Sequence, residues 1–255
     1  GTDNVMMAAT LAEGITIIES AAAEPEVLDL ANFLNAMGAK IAGAGTRRIV
    51  IEGVKELKGV EHTVIPDRIE AGTFMAAAAI AGEGVTLRRV NRDHLKAITD
   101  AIVKSGHKVT FNEMGDSCFI ERGGNLIGVD LVTAPFPGYP TDMQAQMTAL
   151  LATTPGISVI KDTIFPQRFM HCAELKRMGA DIKVDNGCAI VRGVLQLSAA
   201  PVMASDLRAS AALVLAALRA KGSTEISRLY HIDRGYEHID EKLIALGADV
   251  ERVRV

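Results

Sequence analysis

The stretch Pro135-Phe136-Pro137-Gly138-Tyr139-Pro140-Thr141-Asp142-Met143-Gln144-Ala145-Gln146 sets a carboxylate where it could do chemistry. Three prolines predict an extended approach, because each fixes its own φ and disfavours helix in the residue before it. Thr141 and Asp142 are both good helix caps, and an apolar run follows as far as Ala152. Asp142 therefore falls at a helix N-terminus, where unpaired backbone N–H groups and the helix dipole favour negative charge. A carboxylate delivered there is either a cap or a working group.

The construction recurs along the chain. Apolar helices are expected to begin at Asp3, at Asp67-Arg68 with Glu70, at Asp142, and at Asp206 with Arg208. A second set of helices is preceded by Glu24, Arg92, Arg168 and Arg234. If the units carrying them pack around a pseudo-threefold axis, equivalent helix starts gather at one end. Such a rim of N-termini, carboxylates and arginines suits an anionic, phosphate-bearing substrate. The plainer alternative is that each Asp caps its helix and each Arg pairs within its own unit.

Other residues point elsewhere. Gly43-Ala44-Gly45-Thr46 lacks the third glycine and the Lys-Ser/Thr ending of a phosphate loop, and reads as a hairpin turn. Cys118 and Cys188 fall at matching strand positions and read as core. His171-Cys172 lacks the further ligands of a zinc site, so no metal is expected. His231, ahead of Asp233-Arg234, either tunes that cluster or fills a loop.

The elements that must position these residues come from a repeat. One glycine landmark follows an apolar helix, at Gly14, Gly84, Gly156 and Gly222; another ends a second helix, at Gly38, Gly106, Gly179 and Gly247. Each unit, about seventy residues long, predicts an Ala-rich helix, a β-branched strand, an amphipathic helix and two closing strands. The second helices are expected over 27–37, 95–105, 170–178 and 236–246. A further strand should lead to each following unit, at 63–65, 129–132 and 201–203. The first helices (5–9, 74–80, 147–152 and 210–217) are apolar on almost every side, and a helix apolar all round is buried all round. The expected fold class is therefore α/β, an inside-out barrel of repeated units with buried helices and outward-facing sheets. The chain enters a helix at once, without an opening Met, and its last unit is a strand pair short, which reads as a piece of a longer protein.

The totals set bounds. A chain of 255 residues with 49% hydrophobic residues can bury a substantial core, and with 4% aromatics and no Trp that core must be aliphatic. A net charge of −4 argues against a nucleic-acid binder. No run approaches the ~18 apolar residues of a membrane span. Three cysteines without CxxC spacing suit a reducing cytoplasm.

Pro140 to Gln146, Arg168-Phe169-Met170-His171, Asp206-Leu207-Arg208-Ala209-Ser210 and Tyr230-His231-Ile232-Asp233-Arg234-Gly235-Tyr236-Glu237 strongly resemble the UDP-N-acetylglucosamine 1-carboxyvinyltransferase family. Ala8 to Gly14 and Pro66 to Thr73 resemble it too. The resemblance implies two inside-out α/β domains of three units each. By it, residues 1–66 are the last unit of a split first domain, and 67–255 are most of the second. It implies transfer of enolpyruvyl from phosphoenolpyruvate to the 3-hydroxyl of UDP-N-acetylglucosamine, the cytoplasmic step that opens peptidoglycan synthesis, with no cofactor. On the same ground Asp142 is positioned on the 3-hydroxyl as a base, and Asp206 assists proton movement. Arg208 and Arg234 hold phosphoenolpyruvate or the developing phosphate, Arg168 lines the site, and Ile164 contacts the uridine. The family's general acid, a Cys or Asp on a mobile loop, belongs to an N-terminal segment that these residues do not match. That segment is the expected partner, and the chain alone is expected to be inactive. An enolpyruvylshikimate-phosphate synthase relative and a non-catalytic repeat scaffold are the competing readings.

Overall fold

In the computed structural model, which describes residues 1–253, the chain divides into two compact units. The first holds Gly1–Pro66 with Pro135–Gly138, and the second Asp67–Ala134 with Tyr139–Val255. The first consists of α1 (Thr2–Thr10), β1 (Ile15–Glu19), α2 (Pro25–Ala36), β2 (Lys40–Ala42) and β3 (Arg48–Glu52). Its antiparallel sheet has the order β1-β3-β2. Met6, Ala9, Val27, Ala31, Ile49 and Ile51 form its core. The 43–46 segment is the expected hairpin turn, closed by the Thr46 N–H on the Gly43 carbonyl at 3.1 Å.

The second unit opens with α3 (Arg68–Ala81), β4 (Val85–Arg88), α4 (Arg92–Lys104), β5 (Lys108–Phe111), β6 (Ser117–Glu121) and β7 (Leu131–Val132). It continues through α5 (Gln144–Ala152), β8 (Ile157–Lys161), α6 (Met170–Arg177), β9 (Asp181–Asp185), β10 (Cys188–Arg192), β11 (Leu197–Ser198) and β12 (Val202–Met203). It ends with α7 (Leu207–Ala217), β13 (Ala220–Lys221), β14 (Ile226–Ser227) and α8 (Ile239–Ala245). Helices α3, α5 and α7 pack on one another, and every residue of α5 is buried. The sheets β4-β6-β5 and β7-β8-β10-β9 lie outside them, with two separate short parallel pairs, β11-β13 and β12-β14. Helices inside and sheets outside is the expected arrangement; among the described residues no sheet closes on itself. No helix there is long and apolar enough to cross a membrane.

The glycine landmarks have a common cause. All eight have φ between 89° and 148°, a region open to glycine and strained for other residues. A third landmark escaped the sequence reading. A Cβ on Gly53 or Gly193 would lie 1.5 or 1.6 Å from the carbonyl oxygen two residues before the first glycine landmark of its unit (Ala12, Thr154), so two units need a bare backbone there as well; Gly123 meets the Gly106 carbonyl at 1.6 Å instead.

Four expectations are corrected. Helix α1 is not buried all round: Val5 and Met7 are each 47% exposed and Leu11 57%, because within its unit it packs on α2, β1 and β3 and meets no second helix of its own apolar kind. No strand forms at 63–65, where Val64 is exposed; its counterpart β7 is a strand because β8 lies beside it. The prolines do not hold an extended approach. Pro135–Gly138 closes into a turn, with the Gly138 N–H on the Pro135 carbonyl at 2.8 Å and a cis Phe136–Pro137 peptide. Finally, Tyr236 does not open a helix: a 3₁₀ turn at Leu229–Arg234 precedes α8, and Tyr236 points inward to a buried polar cluster.

Candidate active site

Asp142 is not a helix cap. A 3₁₀ turn, Thr141–Met143, leads into α5, and neither it nor the helix makes a side-chain cap bond. Thr141 sends its hydroxyl to Asp162 instead, at 2.7 Å. The Asp142 carboxylate is thereby left to two guanidinium groups. Arg168 donates to its Oδ1 at 2.6 Å, and Arg208 donates to its Oδ2 at 3.0 Å. Asp142 is 35% exposed at its side chain and Arg208 only 12%, so the cluster opens to solvent on the Asp142 side. Burial works against the charged carboxylate. Arg208 and Arg168 outweigh it, through charge and hydrogen bonds, and hold the Asp142 carboxyl below its ordinary range.

Asp142 and Arg208 stand at the starts of α5 and α7, helices of neighbouring repeat units that pack together. The gathering of equivalent helix starts predicted from the repeat holds for this pair. It does not hold uniformly. Asp67 and Asp206 are true caps: Asp67 accepts from the N–H groups of Ile69 and Glu70, and Asp206 from those of Arg208 and Ala209. Glu70 pairs with Lys242 at 2.6 Å, and Arg92 donates to the Asn112 carbonyl. The cap reading is right for those helices and wrong for α5.

Behind Arg208 lies a polar relay that the sequence reading missed. Arg208 donates to Tyr236 Oη at 3.3 Å, and Tyr236 Oη lies 2.8 Å from Thr73 Oγ1. Gln146 Nε2 donates to both oxygens, at 3.2 and 3.1 Å. The Thr73 hydroxyl donates to the Ile69 carbonyl at 2.8 Å. With that proton committed, Tyr236 must donate to Thr73 and accept from Arg208 and Gln146. The relay joins α3, α5 and α7 with the residues before α8. Burial alone would weaken the Arg208 cation, but Tyr236 and Asp142 keep its pKa above its ordinary value.

The remaining predicted residues sit apart from the pair. Ile164 is 37% exposed on the loop after β8, with its N–H on Asp162 at 2.9 Å. Arg234 ends its 3₁₀ turn exposed, with no ion pair among the described residues. Asp206 caps α7 through Oδ1, and among the described residues no side chain pairs with its other oxygen. His171, behind Arg168, is lowered to about 4, chiefly by burial, and is neutral near pH 7. Burial raises Cys118 to about 11 and Cys172 to about 12, so both thiols stay protonated.

Buried helices inside outward-facing sheets, with Asp142 held between Arg168 and Arg208 beside the starts of α5 and α7, define an α/β fold of repeated units. Residues 1–243 match the model of the EPSP synthase (3-phosphoshikimate 1-carboxyvinyltransferase) family, and the chain belongs to that family. It is 74% identical over 253 residues to a UDP-N-acetylglucosamine 1-carboxyvinyltransferase of Akkermansia muciniphila, covering 99% of this chain and 60% of that protein. A protein of the same description from Magnetococcus marinus is 58% identical, again over 99% of this chain and 60% of its own length. The chain thus spans about 60% of the length of these relatives. Among solved structures, the enolpyruvyl transferase NikO from Streptomyces tendae superposes with a TM-score of 0.83 at 29% identity, covering 94% of this chain and 57% of NikO. EPSP synthase from Acinetobacter baumannii, at 21% identity and a TM-score of 0.73 over 98% of this chain and 60% of its own, shares the fold.

Proposed function

We propose that this chain is the larger part of an enolpyruvyl transferase acting on phosphoenolpyruvate and the 3-hydroxyl of UDP-N-acetylglucosamine. The observation that carries the reading is Asp142 held between Arg168 and Arg208 at the mouth of packed helices. A scaffold has no evident need for it, and the 74% identical relative bears that activity in its name. Residues 1–66 would be the last unit of a split domain and 67–255 most of a second. The bare apolar face of α1 (Val5, Met7 and Leu11) supports this reading, since sister helices would cover it.

The geometry suggests how the carboxylate is switched on. The two arginines keep Asp142 ionised but lower its affinity for a proton, which makes it a poor base. A phosphate-bearing anion drawn to Arg168, Arg208 and the exposed Arg234 would loosen that hold. Asp142 can then take the proton of the 3-hydroxyl as its oxygen bonds to the central carbon of phosphoenolpyruvate. The methylene carbon would gain its proton from an acid of the N-terminal segment, since Cys118 and Cys172 lie buried in the core, out of a substrate's reach. Loss of phosphate, with return of a methyl proton, completes the transfer. Arg208 and Arg234 would stabilise the departing charge, Asp206 would assist proton movement, and Ile164 would meet the uridine.

The test is phosphate release from phosphoenolpyruvate plus UDP-N-acetylglucosamine, by the chain alone and with the missing N-terminal segment of the same enzyme supplied in trans. Release on complementation, abolished by Asp142→Asn, is the expected result. Release by the chain alone would refute the account of the missing acid. Silence in both, from folded protein, would favour a non-catalytic repeat module. Release with shikimate 3-phosphate in place of the sugar nucleotide would favour the second enzyme reading.

A further inference from the structure

Asp162, which follows β8, is 1% exposed, and no cation pairs with it among the described residues. A buried carboxylate without a counter-ion is tolerated only if its oxygens are saturated by donors. Here four donors do this. Oδ1 accepts from the Thr133 hydroxyl at 2.8 Å, the Ile164 N–H at 2.9 Å and the Phe165 N–H at 2.8 Å. Oδ2 accepts from the Thr141 hydroxyl at 2.7 Å. These bonds keep the Asp162 carboxyl below its ordinary range although burial opposes them.

What the four donors belong to gives the carboxylate its meaning. Thr141 is the immediate neighbour of Asp142. Ile164 and Phe165 open the loop that ends at Arg168, whose N–H donates to the Phe165 carbonyl at 2.9 Å and whose guanidinium lies 5.3 Å from the Phe165 ring. Thr133 anchors the group to the strand side: its Oγ1 accepts from the Thr163 N–H at 3.0 Å, and the Thr163 hydroxyl returns to the Thr133 carbonyl at 2.6 Å. One ionised group thus holds the turn that carries Asp142 and the loop that carries Arg168.

We propose that Asp162 is a positioning residue for the Asp142–Arg168 pair: it fixes their separation from behind, through Thr141 and the 164–165 amides, and touches no substrate. Its relevance to catalysis rests on the reading of Asp142 given above, but the brace can be tested without any ligand. Thr141→Val removes the Oδ2 donor while keeping the side chain's shape, and Thr141→Ser restores it. The readout is the pH titration of the Asp142 carboxyl carbon by NMR in this chain, assigned by its loss in Asp142→Asn. Arg168 and Arg208 are the charged groups paired with that carboxylate.

In Thr141→Val the Asp142 midpoint should rise by about half a unit or more as its hold on the arginines slackens. Thr141→Ser should return it, with little change in melting temperature. Asp162→Ala should shift it further; should that variant not fold, the valine–serine pair still decides. An unmoved midpoint in folded Thr141→Val would overturn the proposal and leave Asp162 as a local loop cap. Calorimetry with UDP-N-acetylglucosamine separates this from the functional reading. Wild-type binding that weakens about tenfold in Thr141→Val, of the order expected for sub-ångström misplacement, links the brace to the site. A shifted midpoint with no wild-type binding, even with the N-terminal segment added, would keep the brace and sink the functional reading.

Discussion

Removing the Asp142 charge should strengthen anion binding. The carboxylate holds the two guanidinium groups that an incoming phosphate would use on the proposed reading, at 2.6 Å from Arg168 and 3.0 Å from Arg208. Any phosphate must first displace this internal competitor. The size of the effect follows from exposure. Fully exposed ion pairs contribute about 0–1 kcal/mol, whereas breaking a buried one by removing a partner costs about 3–5 kcal/mol. With Asp142 35% exposed and Arg208 12%, solvent screening leaves about 1–2 kcal/mol for the pair of contacts. Asp142→Asn keeps the shape and one weaker hydrogen bond, because the amide has a single acceptor oxygen and its NH2 only donates, and it removes that charge. Inorganic phosphate should therefore bind the variant about 5- to 30-fold more tightly than wild type. Calorimetric titration at low salt is the assay, with Arg208→Ala as the control that must lose binding. Equal or weaker binding by Asp142→Asn would refute the claim that the carboxylate and the anion compete for the same cations. The same variant should be inactive in the complemented enzyme, so a gain in affinity and a loss of turnover are expected together.

Three further outcomes can be checked. Tyr236→Phe deletes the hydroxyl that accepts from Arg208 and Gln146, and should cost about 1–2 kcal/mol in denaturant unfolding while weakening phosphate binding several-fold. His107 and His171, 3% and 2% exposed, each have a pKa lowered to about 4, mainly by burial. Between about pH 6.5 and pH 4 the unfolded chain binds more protons than the folded one, so stability present above 6.5 is lost as pH falls. The loss is up to about 3 kcal/mol per histidine, and His107→Leu should flatten the pH dependence of the denaturant midpoint by that share. Gly53→Ala would put a Cβ 1.5 Å from the Ala12 carbonyl oxygen and should lower stability by at least about 2 kcal/mol.

The sequence was legible where local chemistry repeats and illegible where partners arrive from afar. Gly14, Gly84, Gly156 and Gly222 mark the units because the backbone there has positive φ, a demand that leaves a glycine at one place per repeat. The buried helices α3, α5 and α7 were visible because a helix apolar on all sides has no solvent face to explain. Helix α1 shows the limit of that rule, since composition states what a helix is fit to bury against and not whether its neighbours are there. The candidate site divides in the same way. Asp142, Arg168 and Arg208 could be proposed from their place at helix starts, but Thr141 and Asp142 carried an equal claim to be caps. What decides between them is Asp162, twenty residues downstream in another element, which takes the Thr141 hydroxyl and leaves Asp142 to the arginines. No periodicity or motif points to Asp162. An acid after a β-branched strand reads as solvated until the fold brings Thr133 and Thr141 to it. Tyr236 is hidden likewise, because its three partners come from α3, α5 and α7. A buried polar group is defined by donors and acceptors that converge only after folding, so in this protein the groups proposed to act directly were easier to read than those proposed to hold them in place.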